Sequence, residues 1–166
     1  MGLRPLSQLP DGERICLDAN IFLYSAFDHP TFGGACRDFL ARVDQEEVHG
    51  YCSAFVLNEV FHKLMMSEIV DKFGVQAGSA NNLFKKRPEI ICELCDVWDE
   101  MDIINNINII ILGGQIFPEF VDLSKKYRLL AMDSAHLATM KRNGLTNLAT
   151  NDADFERVAD LKIWKP

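Results

Sequence analysis

The sequence predicts an α/β domain built on a parallel sheet of four to five strands. Short apolar runs alternate with longer amphipathic segments, and strand–helix alternation of this kind closes into parallel strands joined by right-handed helical crossovers. A length of 166 residues suits a single domain, 1–166, and an apolar fraction of 48% is enough to fill its core. No internal repeat or low-complexity tract interrupts the chain.

Residues 1–13 read as a loose lead-in, since Pro5, Pro10 and the Asp11-Gly12 pair all favour turns. Residues 14–18 read as a short buried strand. Residues 20–28 and 33–46 read as helices divided by the His29-Pro30 break. Residues 47–52 form the second expected strand. Ser53 is placed to cap a long helix reaching about Phe73, with Val56, Val60, Leu64 and Leu57, Phe61, Met65 as its apolar stripe. Residues 78–87 are polar and show no clear period. Pro88 suits the first turn of a helix running to about Asp102. The stretch 74–106 therefore reads as an inserted helical hairpin or arm. The β-branched run 107–112 is a strand, or a loop packed under the next helix. Residues 118–127 and 133–142 read as helices, the second stopped at Asn143-Gly144. Residues 148–150 and 161–164 read as the last two strands.

Bulk properties narrow the function. No apolar run approaches the roughly 20 residues of a membrane span. The N-terminal stretch lacks a signal peptide's apolar core, and Leu6 stands where a myristoylation signal has Ser or Thr. A cytoplasmic protein with no membrane role is the expectation. Cys16, Cys36 and Cys52 lie singly in apolar segments and read as buried free thiols. Cys92 and Cys95 form a C-x-x-C, but it falls inside a predicted helix and no second pair supplies zinc ligands. A net charge of −7 argues against a broad nucleic-acid-gripping surface. It does not oppose a nuclease whose acidic ligands are offset by bound metal. The basic clusters 85–87, 125–128 and 141–142 read as solvated helix ends.

Four acids carry the chemistry. Asp18 ends the apolar run ICLD, Glu59 sits within the apolar helix AFVLNEVFHKL, Asp133 opens MDSAHLATM, and Asp152 follows LTNLAT. Carboxylates beside an apolar core are costly unless their charge is compensated, and a hard divalent cation is the simplest compensator. Open α/β sheets gather sites at the carboxyl ends of strands, which places Asp18 and Asp152 on one edge. Each acid also has an ordinary role open to it. Asp18 and Asp133 suit helix caps, Asp152 suits a turn, and Glu59 suits a solvated flank with His62 as partner. His136 reads as a packed helix histidine and stays outside catalysis.

The blocks around these acids, LDANIFLYSAF, SAFVLNEVFHKL, LLAMDSAHLATMKRNG and LATNDADFERVADLKIWKP, resemble the four signature blocks of PIN domains. The resemblance is closest to the VapC-like group of small prokaryotic ribonucleases and spans roughly residues 14–165. It implies a three-layer α/β/α PIN-like fold with an inserted helical arm. It implies that Asp18, Glu59, Asp133 and Asp152 hold one or two Mg²⁺ or Mn²⁺ ions, with Asn20 supporting the first aspartate, Thr150 near the substrate or metal, and Asp154 helping through water. It further implies hydrolysis of RNA phosphodiesters to 5′-phosphate and 3′-hydroxyl ends, a small antitoxin protein as partner, and a homodimer.

The chemistry is consistent with that resemblance. Carboxylates alone would repel a phosphodiester, and metal ions reverse the local sign, activate water and stabilise the leaving oxygen. No G-x-S-x-G elbow or activated cysteine offers a side-chain nucleophile. A PIN-like module that binds RNA or protein without cleaving is the alternative, and four intact acids weigh against it. A haloacid-dehalogenase-type phosphatase needs Asp where Asn20 stands, and a receiver domain needs a late Lys after a strand that has no match here. No glycine-rich turn follows the first strand, as a dinucleotide site requires.

Overall fold

The computed structural model describes residues 4–166. Six strands, β1 (Arg4–Pro5), β2 (Arg14–Leu17), β3 (His49–Ser53), β4 (Ile109–Leu112), β5 (Asn147–Ala149) and β6 (Lys162–Lys165), pair in the order β1-β6-β5-β2-β3-β4. Every pairing is parallel. The helices are α1 (Ala19–Ala26), α2 (Gly33–Asp44), α3 (Ala54–Phe73), α4 (Ala77–Lys86), α5 (Asp96–Asn106), α6 (Glu119–Tyr127) and α7 (Ala131–Arg142). The α/β class with a central parallel sheet is as the sequence predicts.

The layering follows from the alternation of side chains along each strand. On β2, Ile15 and Leu17 enter the larger core with residues of α1, α2 and α3. Cys16 points the other way, into a second core with Leu137 and Met140 of α7, Tyr127 and Phe155. On β5, Leu148 joins the second core and Ala149 the first. Helices thus cover both faces. Gly50 on β3 lets α2 lie close, because a Cβ there would meet Val43 Cγ1 at 2.5 Å. On α3, Val56, Val60, Leu64, Met65 and Ile69 are buried, while Leu57 and Phe61 are half-buried. Gly74, at φ 63°, ends α3 in the left-handed conformation that glycine adopts without strain. Among the described residues, no helix is long and apolar enough to cross a membrane.

Two expectations are corrected. The lead-in is not loose from residue 4 onward (residues 1–3 lie outside the described residues). Arg4 and Pro5 pair with Trp164 and Lys165 as a sixth strand, one beyond the expected four to five. Pro5 is tolerated because β1 is an edge strand, where a missing N–H need not break a ladder. Leu6 and Leu9 are buried, and Arg42 donates to the Leu9 carbonyl at 2.8 Å and to the Asp11 carboxylate at 2.8 Å.

The second correction concerns the helix expected from Pro88 to about Asp102. A 3-10 turn covers Pro88–Glu93, the chain breaks at Leu94 and Cys95, and α5 begins at Asp96. Glu68, buried on α3, accepts the Cys95 N–H at 2.6 Å and the Val97 N–H at 2.9 Å. An anionic cap at this point satisfies orphan donors of a helix start and favours a new helix over a continued one. Cys92 and Cys95 consequently lie at a junction and are exposed, whereas Cys16, Cys36 and Cys52 are buried as expected.

Candidate active site

Asp18 follows β2 directly at the carboxyl edge of the sheet. Its Oδ1 accepts the Ala19 N–H at 2.7 Å, which makes it the N-cap of α1. Its Oδ2 accepts from Asn20 Nδ2 at 2.6 Å and from the Thr150 hydroxyl at 2.6 Å. The capping role and the site position therefore coincide in one carboxylate. Asn20 also donates to Thr150 Oγ1 at 3.0 Å, and its Oδ1 accepts the Asn151 N–H at 3.1 Å. The Thr150 hydroxyl in turn accepts the Asp152 N–H at 3.0 Å. One polar network thus joins the end of β2 to the loop after β5.

Asp152 is half-buried and its Oδ1 accepts the Asp154 N–H at 2.8 Å, the turn role its sequence context allows. Asp154 forms an ion pair with Arg157. Asp133 does not occupy the N-cap of α7. The helix begins two residues earlier, Leu130 holds the cap position without a side-chain bond, and Asp133 lies in the first turn. Glu59 is half-buried on α3. Its partner is Lys63, at 3.2 Å one turn on, and not His62, which is exposed. The i,i+4 spacing of Glu59 and Lys63 is a signal available in the sequence. Asn151, which bonds Tyr24 Oη at 3.2 Å as well as Asn20, carries no such signal.

The four acids are electrostatic neighbours. Burial pushes the Asp18 carboxyl up to about 6; the Thr150 hydroxyl and Ala19 N–H oppose the rise, and the charges of Glu59 and Asp133 add to it. Burial also pushes Asp133 up to about 6, with further contributions from Asp152, Glu59 and Asp154, while the Leu130 N–H opposes them. Among the described residues, no Lys, Arg or His forms an ion pair with Asp18, Asp133 or Asp152. His136 packs as expected. It is buried, its Nδ1 lies 3.0 Å from Ser53 Oγ, its ring meets Phe155 edge-on, and burial lowers its pKa to about 4.

These oxygen donors suit an oxygen-seeking divalent cation, because burial and then neighbouring charge raise the cost of ionising Asp18 and Asp133, and a cation reverses that cost. As they stand, no three His, Cys, Asp or Glu side chains among the described residues are placed to hold one ion together. Glu59 is instead paired with Lys63, and Asp152 Oδ1 with the Asp154 N–H.

The PIN domain family model matches residues 15–161, a span that contains all four acids. The chain belongs to the PIN-domain family. Ribonuclease VapC6 of Methanocaldococcus jannaschii is 34% identical over 73 residues, which is 44% of this chain and 48% of that protein. The match thus spans about half the length of this curated relative. Among solved structures, VapBC2 from Rickettsia felis, bound to a DNA fragment from its promoter, aligns with a TM-score of 0.59 at 16% identity, covering 92% of this chain and 98% of that one. VapC20 of Mycobacterium tuberculosis, described as a toxin that cleaves the sarcin-ricin loop, aligns at 0.55 and 14% identity, covering 87% and 95%. At these identities the structures establish a shared fold.

Proposed function

We propose that this PIN domain is a Mg²⁺- or Mn²⁺-dependent endoribonuclease that uses Asp18, Glu59, Asp133 and Asp152 as metal ligands. The observation that carries the proposal is that burial first, and the charges of other acids in the set second, raise Asp18 and Asp133 to about 6, with neither ion-paired among the described residues. The name of the relative matched over about half its length, a ribonuclease, supports RNA as the substrate.

Bound metal would supply charge reversal at the phosphate and acidify its water. Asp18 is held for this task by Asn20 and Thr150, which together donate to one oxygen and leave the carboxylate little freedom. Asn20 and Thr150 act as supports rather than ligands. Asp154 is engaged by Arg157 and stands as a water-mediated helper at most. A single-stranded or loop segment of RNA is the natural substrate, since its phosphates and bases are accessible.

We further infer that the chain acts as a VapC-like toxin, restrained by a small antitoxin protein and active as a homodimer in the cytoplasm. The toxin-bearing relatives of the same fold support this reading. So do Leu130 and Met132, exposed on either side of the start of α7 and available to a protein partner.

The test is cleavage of labelled single-stranded RNA by the purified protein with Mg²⁺, with Mn²⁺ or with EDTA, beside Asp18→Asn and Asp152→Asn. Metal-dependent cleavage lost in both variants is expected. Equal cleavage by parent and variants would sink the assignment. Metal-independent RNA binding without cleavage would favour the non-nuclease module.

A further inference from the structure

The two helices that carry Glu59 and Asp133 are tied to each other by a buried contact outside the acidic set. Ser53 is the last residue of β3 and the N-cap of α3, and it is fully buried. Its Oγ accepts the Val56 N–H at 3.3 Å and lies 3.0 Å from His136 Nδ1. His136 stands one turn after Asp133 on α7. A hydroxyl already accepting from an N–H has its proton free to donate. With Ser53 as the donor to Nδ1, the imidazole is neutral and carries its proton on Nε2. That nitrogen is buried with no hydrogen-bond partner among the described residues. A neutral imidazole tolerates this position, and burial that holds its pKa near 4 agrees with that assignment.

We propose that Ser53 and His136 form a positioning pair that sets the distance between Glu59 and Asp133, and so governs divalent-metal affinity at the acidic site. This rests on the metal-dependent reading above. Both residues are buried and act through the helices they join. Ser53 fixes where α3 starts, and Glu59 is carried on the second turn of that helix. His136 fixes how deeply α7 sits against the carboxyl end of β3. An apolar contact of the same size would pack but would not set direction, because only the hydroxyl-to-imidazole bond has a preferred geometry. Outer groups that orient metal ligands typically change affinity by about 10- to 100-fold when removed.

The experiment is a Mn²⁺ titration of the full chain, with thermal unfolding of the metal-free protein alongside, for the parent, Ser53→Ala, His136→Gln, His136→Phe and the Ser53→Ala/His136→Phe double variant. We expect Mn²⁺ affinity about tenfold weaker in Ser53→Ala and His136→Phe. His136→Gln, which keeps an acceptor, recovers part of that loss. The double variant is no worse than the weaker single one, because the pair acts as a unit. In cleavage assays the loss falls on the metal concentration needed for half-maximal rate, and excess Mn²⁺ restores the rate. Variants that melt earlier yet bind Mn²⁺ within twofold of the parent would overturn the pair and leave the nuclease reading intact. A parent that binds no Mn²⁺ would overturn both.

A second measurement covers variants that fail to fold. Histidine ring ¹⁵N signals of the unaltered protein should show His136 in the Nε2–H tautomer and should shift on saturation with Mg²⁺. The other tautomer, or no shift at saturation, would overturn the proposal without any substitution.

Discussion

The Thr150 hydroxyl and the Asp18 carboxylate, 132 residues apart in the chain, meet at 2.6 Å inside the protein. The same hydroxyl accepts the Asp152 N–H and an amide hydrogen of Asn20, so a single fully buried side chain coordinates the loop after β5 with the end of β2. Removing the hydroxyl strands donors and a buried carboxylate at once. Thr150→Val, similar in shape, should destabilise the protein by about 1–3 kcal/mol, the usual cost of leaving buried polar groups unpaired. Thr150→Ser should cost clearly less. Urea unfolding of both variants checks this, and equal stabilities would show that the methyl group and not the hydroxyl matters.

The raised carboxyls give a pH dependence with a definite sign. Asp18 and Asp133 bind protons near 6 in the folded chain against an ordinary 3.8. Between these values the folded state binds more protons than the unfolded state, so stability rises as pH falls through 6 and levels off below about 4. His136 acts in the opposite sense. Its pKa is lowered from 6.5 to about 4, so its contribution is present above 6.5 and lost as pH falls through that window. Two acids outweigh one histidine, and metal-free protein should gain stability from pH 7.5 to 5. Neutralising both acids, in Asp18→Asn/Asp133→Asn, should leave the histidine's slope and reverse the sign. Unfolding in EDTA at several pH values decides it. Unchanged slopes in the double variant would assign the pH dependence to other groups.

Glu68 offers a contrast, since it is a buried acid with a purely structural task. Both of its oxygens are occupied by backbone N–H groups at the start of α5. Glu68→Ala should cost stability in the range of about 1–3 kcal/mol, as for a buried anionic cap. Cleavage per folded molecule and Mn²⁺ affinity should stay near those of the parent. A loss of metal affinity comparable to that in Asp18→Asn would instead tie α5 to the active site.

Asp18, Glu59, Asp133 and Asp152 stand in short blocks where a polar residue interrupts an apolar run, and such interruptions are visible one segment at a time, whereas Asn20 and Thr150 are implied only by the resemblance of those blocks to PIN domains. Ser53 was visible as a cap in the same way as the four acids. Its bond to His136 was not, because that bond joins β3 to α7 and no local pattern encodes it. Strand β1 escaped for a similar reason. Two residues with a proline carry no strand signal, and the pairing with β6 depends on a partner at the far end of the chain. The break before α5 depends on Glu68, far away on α3, so the local sequence around Pro88 suggests one helix where there are two pieces.

Asp152 is the group that most directly tests whether the acids act together. After burial, its charge makes the largest contribution to the raised pKa of Asp133. Asp152→Asn removes that charge and keeps the side chain's shape and its ability to accept the Asp154 N–H. Asp133 should then titrate at lower pH in the metal-free protein, and the metal-free protein should be more stable at pH 7.5 than the parent, because one like-charge neighbour is gone. The same change should abolish most of the thermal stabilisation that saturating Mn²⁺ confers on the parent, since binding to the folded state alone is what raises stability. Carbon-detected titration of the Asp133 carboxyl, with melting curves in EDTA and in Mn²⁺, gives both readouts. An Asp133 titration that ignores the substitution would mean that the two carboxylates are too far apart, or too well screened, to share an ion.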